Sequence, residues 1–360
     1  VTGENDFQLI IDEKRALETA IYISNKQSFS EKLSAEYGLR LSMFNQIGPG
    51  YNNTYNDENE KVDSVYYGNG KIMQSYYGIE PRLSINYRLQ EDKSIKVSYN
   101  RMAQYLHLMS NSTSGQPTDT WTPSSFNVEP LDVNQFALGY FQNFSDNQFE
   151  FSVEAYYKDM QNVTDYKDGT DIMLNENIES YILQGHGRSY GAEFYLKKKQ
   201  GRFSGWLSYT LSKTENQING INNNNWYASK LDKTHDISIV GSYQLNDRIS
   251  LSATWVYYTG NAVTFPSGRF DYDGEIYPYY TDRNSYRMPN YHRLDFNFHL
   301  EGKKKTRFQS SWDFSIYNAY NRYNAYTISF RESENNPGTT EAVKFALFGI
   351  VPSVTWNFKF

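Results

Sequence analysis

Between residues 149 and 158 the chain reads FEFSVEAYYK. Phe149, Phe151, Val153, Ala155 and Tyr157 alternate with Glu150, Ser152, Glu154, Tyr156 and Lys158. A period of two is the mark of a strand with one apolar and one polar face. The pattern recurs where Leu83, Ile85, Tyr87 and Leu89 alternate with Ser84, Asn86 and Arg88, and again at 95–100, 249–258 and 293–300. The chain also ends on it, in VTWNFKF. Each run has about 9–13 residues, the length a tilted strand needs to cross a bilayer. Roughly 13 strands are predicted. They cover 14–25, 33–45, 76–89, 94–104, 132–144, 148–160, 187–199, 203–214, 235–246, 249–259, 290–300, 307–329 and 343–360. No helical period separates them.

The connections alternate in length. QEDK (90–93), SDN (145–147), QGR (200–202) and NDR (246–248) are short, whereas 46–75, 105–131, 161–186, 215–234 and 260–289 are long. Short turns on one side and long loops on the other are how outer-membrane barrels are built. A soluble β-sandwich, the alternative, has no reason to keep that parity. The fold class expected is therefore all-β, a transmembrane antiparallel β-barrel spanning 1–360, with long loops outside and Phe360 at the periplasmic rim. An odd strand count cannot close, because the first and last strands would run parallel. Either a strand is hidden near FQLII (7–11), or an earlier part of the barrel precedes this sequence. The opening VTGENDF, with no initiator Met, fits a fragment or a processed product.

Composition supports the barrel where hydropathy hides it. Mean hydropathy is −0.73, and no run approaches the roughly 20 apolar residues of a membrane helix. Yet the chain carries 33 Tyr, 22 Phe and 6 Trp, side chains that gather where one end is apolar and the other wet. A net charge of −6 argues against a nucleic-acid partner. With no Cys, disulfides, thiolate catalysis and zinc–thiolate sites are excluded.

In order along the chain stand YGLRLS (37–42), GIEPRLSINYRL (78–89), SYGAEFYLKK (189–198), GWLSYTLSKTE (205–215), DKTHDISIVGSYQLN (232–246), MPNYHRLDFNF (288–298), YNAYNRYNAY (317–326) and the terminal VPSVTWNFKF. On these stretches the chain resembles the C-terminal portion of TonB-dependent outer-membrane receptors, in the branch carrying an N-terminal carboxypeptidase-regulatory-like domain. The resemblance implies about the last 13 strands of a 22-stranded barrel. The plug domain and the early strands would lie upstream. It further implies active uptake of a bulky nutrient (siderophore, cobalamin, glycan or peptide) without a cofactor. The implied partners are outer-membrane lipid, the protein's own plug, TonB and a surface lipoprotein lid. Trp356, Phe358 and Phe360 would then serve as the signal for barrel assembly.

Candidate chemistry is sparse. Loop aromatics Trp121, Trp226, Tyr227, Tyr272, Tyr277, Tyr279 and Tyr280 are placed to stack on a sugar or grip a peptide, or to pack the loops on each other. Asp271, Asp273 and Glu275 surround Gly274 in a weak Ca²⁺ pattern that lacks the full ligand set. Arg82, Arg88, Glu150, Glu154, Lys158, Arg293 and Asp295 are expected to face the lumen or a plug, as any wide barrel needs a hydrated interior. The KKK runs at 197–199 and 303–305 flank short turns, where anionic head groups favour them. His292 and His299, seven apart in one strand, point to opposite faces, and no metal-binding spacing exists. His235, beside Asp232 and Asp236, is the one approach to a hydrolase group, and a polar strand start explains it as well. Two alternatives to the receptor stay open on the residues alone: a passive channel of about 14 strands and an outer-membrane hydrolase.

Overall fold

The computed structural model describes residues 13–109, 120–168, 170, 177–272, 275–303, 308–333 and 339–360. Thirteen strands pair antiparallel in chain order to form one wall. They are β1 (Arg15–Ser28), β2 (Leu33–Ile47), β3 (Ile72–Gln90), β4 (Lys93–Gln104), β5 (Leu131–Phe144), β6 (Phe149–Tyr166) and β7 (Ile182–Lys198). Next come β8 (Phe203–Gln217), β9 (His235–Asn246), β10 (Ile249–Tyr258), β11 (Tyr291–Glu301), β12 (Gln309–Tyr317) and β13 (Val351–Lys359). Among the described residues, helix is confined to single 3₁₀ turns at Ile178–Tyr181 and Asn222–Asn224.

The register keeps every strand in phase. One row runs from β2 to β11 through Leu33, Tyr87, Ile95, Tyr140, Val153, Phe194, Tyr209, Ile237, Tyr257 and His292. The adjacent row reads Ser34, Asn86, Lys96, Gly139, Glu154, Glu193, Thr210, Asp236, Tyr258 and Tyr291. Neighbouring rows point to opposite faces, so one face of the wall is apolar and the other polar. Apolar side chains such as Phe136 and Leu138 remain 53% and 55% exposed. A continuous apolar surface of that extent belongs in lipid rather than water. Inside lipid every backbone N–H and C=O must pair within the protein, and the ladder provides that pairing.

Short turns join β1–β2, β3–β4, β5–β6, β7–β8, β9–β10 and β11–β12; the intervening connections are long. Four long connections hold hairpins of their own, at Gly50–Tyr55 with Lys61–Tyr67, Leu106–Met109 with Thr120–Pro123, Gly268–Tyr272 with Glu275–Tyr279, and Thr327–Glu332 with Thr340–Phe345. The last hairpin corrects the sequence reading, which ran strands through 307–329 and 343–360. The ladder stops at Tyr317 because Asn318 and Asn321 take left-handed backbone, φ 54° at each. The Asn318 side chain bonds both N–H and C=O of Arg322, closing a turn. The 161–186 loop is shorter than expected, as pairing continues to Tyr166 and resumes at Ile182.

β1 pairs with β2 alone and β13 with β12 alone among the described residues. Both edges run from the long-connection side to the short-turn side, so they cannot pair antiparallel with each other. FQLII lies outside the described residues. Among the described residues the most deeply buried side chains, Ile218, Ile221, Val128, Asn318, Thr122, Asp232, Ser124 and Ser125, all lie in long connections.

Candidate functional site

In a barrel the polar face lines the interior, and the charges expected there share it. Arg82, Arg88, Glu150, Glu154, Arg293 and Asp295 all fall on the rows of that face. Several belong to networks. Arg293 donates from Nε to Asp295 (2.9 Å) and from Nη1 to the hydroxyls of Tyr291 (3.0 Å) and Tyr317 (2.9 Å). Tyr291 stacks on Tyr258 with ring centroids 4.6 Å apart, and Lys233 Nζ lies 4.0 Å from the Tyr258 ring centre. Glu150 pairs with Lys199 beside a short turn.

Sequence reasoning did not find the network at the other end of the wall. Glu80, 2% exposed, accepts hydrogen bonds from Arg40 (2.5 Å) and Ser42 (2.8 Å), while Arg40 also reaches Glu18 (2.9 Å). Two fully buried charges of one sign would be prohibitive; a carboxylate with a guanidinium and a hydroxyl is tolerable. The signal available was Glu80–Pro81 inside an otherwise regular strand, a charge and a ladder breaker side by side.

At the long-connection end of the wall the connections are tied to each other. Arg283, with a side chain 8% exposed, donates to Asp168 (2.9 Å) and the Tyr166 carbonyl (2.6 Å), and lies 3.7 Å from Asp165. Tyr227 donates its hydroxyl to Asp165 (2.8 Å), and the Asn222 side chain accepts from the Arg283 N–H (2.7 Å). The β6–β7, β8–β9 and β10–β11 connections thus meet at one knot, packed on Ile218, Ile221 and Leu183. Burial, then the neighbouring Asp165 charge, pushes the Tyr227 phenol far up, so it stays a donor. A second tie joins Glu179 to Lys14 (2.6 Å), Ser125 (2.9 Å) and Asn127 (3.1 Å). Burial there favours the neutral acid, but the Lys14 charge and these donors outweigh it and hold the carboxyl below its usual range. Arg287 pairs with Asp232 in a third.

The loop aromatics do not converge. Trp226 and Tyr227 have different surroundings: Tyr227 is buried, while Trp226 stacks on the Arg188 guanidinium, 4.2 Å from the ring centre. Trp121 (58%), Tyr272 (70%), Tyr279 (54%) and Tyr280 (51%) stay exposed on or beside the hairpins. The side chains of Tyr277, Asp271, Asp273 and Glu275, and with them the Ca²⁺ pattern, lie outside the described residues. Among the described residues no group of three His, Cys, Asp or Glu side chains is placed to hold a metal.

Four of the five histidines are accounted for by their neighbours. His235 lies on the apolar face with Nδ1 3.0 Å from the Tyr209 hydroxyl, whereas Asp236 falls on the polar face and Asp232 is engaged by Arg287 and the Thr214 N–H. The three do not form a relay. His107 is buried against Ser124 (3.1 Å), and burial lowers its pKa, keeping it neutral. His292 and His299 lie on opposite faces of β11, His292 against Tyr320 (2.7 Å) and His299 against Asp313 (2.8 Å).

A family model described as "TonB dependent receptor-like, beta-barrel" matches residues 5–322. No curated protein matches the sequence. Solved structures do match. The ferric yersiniabactin uptake receptor FyuA from Yersinia pestis superposes with a TM-score of 0.61 at 12% identity, covering 96% of this chain and 46% of that one. The siderophore receptor PiuA from Acinetobacter baumannii gives 0.60 at 13% identity, with 96% and 43% covered. The closed form of the ferric-catecholate import receptor Fiu from E. coli K12 gives 0.59 at 14%, with 96% and 44% covered. At these identities the likeness is one of fold, and this chain spans less than half the length of those proteins.

Proposed function

The chain belongs to the TonB-dependent receptor-like β-barrel family, and from that premise we propose that it serves TonB-powered uptake of a bulky nutrient. As a family member it is an outer-membrane protein of a Gram-negative bacterium, and the family transports rather than catalyses. In this reading residues 1–360 are the C-terminal part of a barrel of about 22 strands. A plug domain docks on the polar face, using Arg82, Arg88, Glu150, Glu154, Arg293 and Asp295. The exposed loop aromatics Trp121, Tyr272, Tyr279 and Tyr280 make first contact with the ligand. The similar structures named for siderophore import favour a siderophore over cobalamin, a glycan or a peptide.

The observation that carries the reading is the knot at Arg283. A passive pore needs an open mouth, whereas here three long connections converge and are cross-tied at the long-connection end of the wall. A mouth built that way suits capture followed by gated release. The test is conductance of the full-length protein in a planar bilayer. The receptor reading predicts no steady current until the plug is unfolded by denaturant. A steady ohmic current from the untreated protein refutes it in favour of a channel.

A further inference from the structure

The wall opens between β3 and β4. β3 and β4 are paired from Gln90↔Lys93 to Arg82↔Asn100 and no further. Beyond that point β3 continues to Ile72 against β2, and β4 continues to Gln104 against β5. The two strands fork. Pro81 stands next to the last pair, and proline has no N–H to give a ladder.

The polar side of the fork is sealed. Tyr105, just beyond β4, stacks on Phe44 with centroids 5.0 Å apart, and its hydroxyl lies 2.8 Å from Ser42 Oγ. The ring passes over Gly78, where any Cβ would sit 2.7 Å from that hydroxyl. What remains is a cleft of about 210 Å³ whose lining includes Tyr76, Tyr77, Tyr105, Glu129, Asp132 and Asn162.

A further break in regular backbone and a side-chain clamp meet at this cleft. Asn162 is the bulged residue between Gln161 and Val163, with φ 60°, and its Nδ2 donates to the Pro130 carbonyl (3.0 Å). Bulges re-aim side chains in this way. The Gln184 amide clamps Glu129 from both sides, accepting from its N–H and donating to its C=O, each at 2.9 Å. The lining is therefore held in place before anything binds.

Apart from the Tyr77 hydroxyl, which can donate or accept, the polar groups left over in the lining are acceptors. Tyr76 spends its proton on the Ser125 carbonyl (2.7 Å). Asp132 Oδ2 takes Arg101 at 3.3 Å, leaving Oδ1. Glu129 is exposed, and Asn162, whose Nδ2 is spent on the Pro130 carbonyl, keeps Oδ1 as an acceptor. Acceptors of net negative charge among three phenol rings fit a ligand that is a donor and a cation.

We propose that this cleft binds a primary ammonium group, such as a lysine side chain or the amine of a small ligand. Its three N–H donors match the carboxylate and amide oxygens, and its charge faces the tyrosine rings. A volume below the roughly 300 Å³ at which drug-sized pockets begin limits the guest to an alkylammonium arm. The inference is independent of the transport reading, since it concerns binding by the purified protein.

The test is titration of the full-length protein in detergent micelles with n-butylammonium and with neutral n-butanol, followed by saturation-transfer NMR. Butylammonium is expected to bind and butanol is not. Glu129→Gln, an exposed substitution, is expected to weaken binding about tenfold, as loss of one charge-assisted hydrogen bond would. Tyr77→Ala is expected to weaken it too, while Tyr51→Ala, on a separate hairpin, leaves it unchanged. Heat-modifiable migration on gels confirms that each variant is folded. Equal binding of butanol, no binding of butylammonium, or an unaltered Glu129→Gln variant overturns the proposal.

Discussion

Trp312 and Trp356 face each other across the last pair of strands, ring centroids 5.8 Å apart and 21° from parallel. Phe308 lies 5.7 Å from Phe360 and 6.5 Å from Trp356, and Phe358 lies 4.7 Å from Trp356. The terminal aromatics thus form one cluster on the apolar face at the short-turn end, where an interfacial girdle belongs. Trp356→Ala is expected to lower stability in lipid vesicles by about 1–2 kcal/mol, from the lost ring contacts. Deleting Phe360 is expected to cut the assembled fraction in cells, read as heat-modifiable protein in the outer-membrane fraction. Normal assembly without Phe360 would remove its proposed role as a signal.

The two faces of β5 give a sharper contrast. Leu138 pairs with Val97 and Ala155 on the apolar face; its neighbour Ala137 pairs with Ser98 and Tyr156 on the polar one. Leu138→Lys is expected to cost about 2–4 kcal/mol and Ala137→Lys less than 1. Equilibrium unfolding in vesicles measures both, and equal costs would contradict the assignment of faces.

That alternation is why the wall was legible in the sequence. Phe149 to Lys158 show their period without help, and the SDN and NDR turns mark the ends. The knot was not legible, because Arg283 meets the Tyr166 carbonyl across 117 positions of chain, and no local pattern foretells such a partner. Trp226 and Tyr227 both count among the loop aromatics in the sequence, but Tyr227 belongs to a two-residue strand paired with β8 and is buried, while Trp226 stacks on Arg188. Pro81 was visible, but its consequence depends on which edge of β3 it faces. The turn at Asn318 was hidden because Tyr and Ala on both sides keep the look of a strand.

Arg283 offers a test of the knot. Arg283→Ala leaves Asp165 largely buried beside Tyr227 without its cation, which is expected to cost about 3 kcal/mol locally. The loss is expected as faster amide exchange in the β6–β7, β8–β9 and β10–β11 connections, with wall protection unchanged. Uniform loosening of the wall would mean that the knot supports the whole fold instead.

Glu179 makes the loops pH-dependent. Its folded pKa lies below the ordinary glutamate value, so its contribution is fully present above that value and is lost as pH falls through the folded pKa. Proteolysis at 177–184 is expected to accelerate on acidification below about pH 4. Glu179→Gln is expected to show the fast rate at neutral pH and to flatten the profile.

Gly78 and Tyr105 depend on each other. Gly78→Ala is expected to cost about 1–3 kcal/mol by driving Tyr105 off Ser42. Gly78→Ala combined with Tyr105→Ala is expected to recover part of that loss, and strict additivity in a double-mutant cycle would show that the two are not coupled.

The claim of energised uptake is tested most directly by accumulation. The ligand that copurifies with the full-length receptor is identified by mass spectrometry, labelled, and offered to cells with and without TonB. The account predicts binding at the surface in both and accumulation inside only where TonB is present. Equal accumulation in the two strains would contradict it.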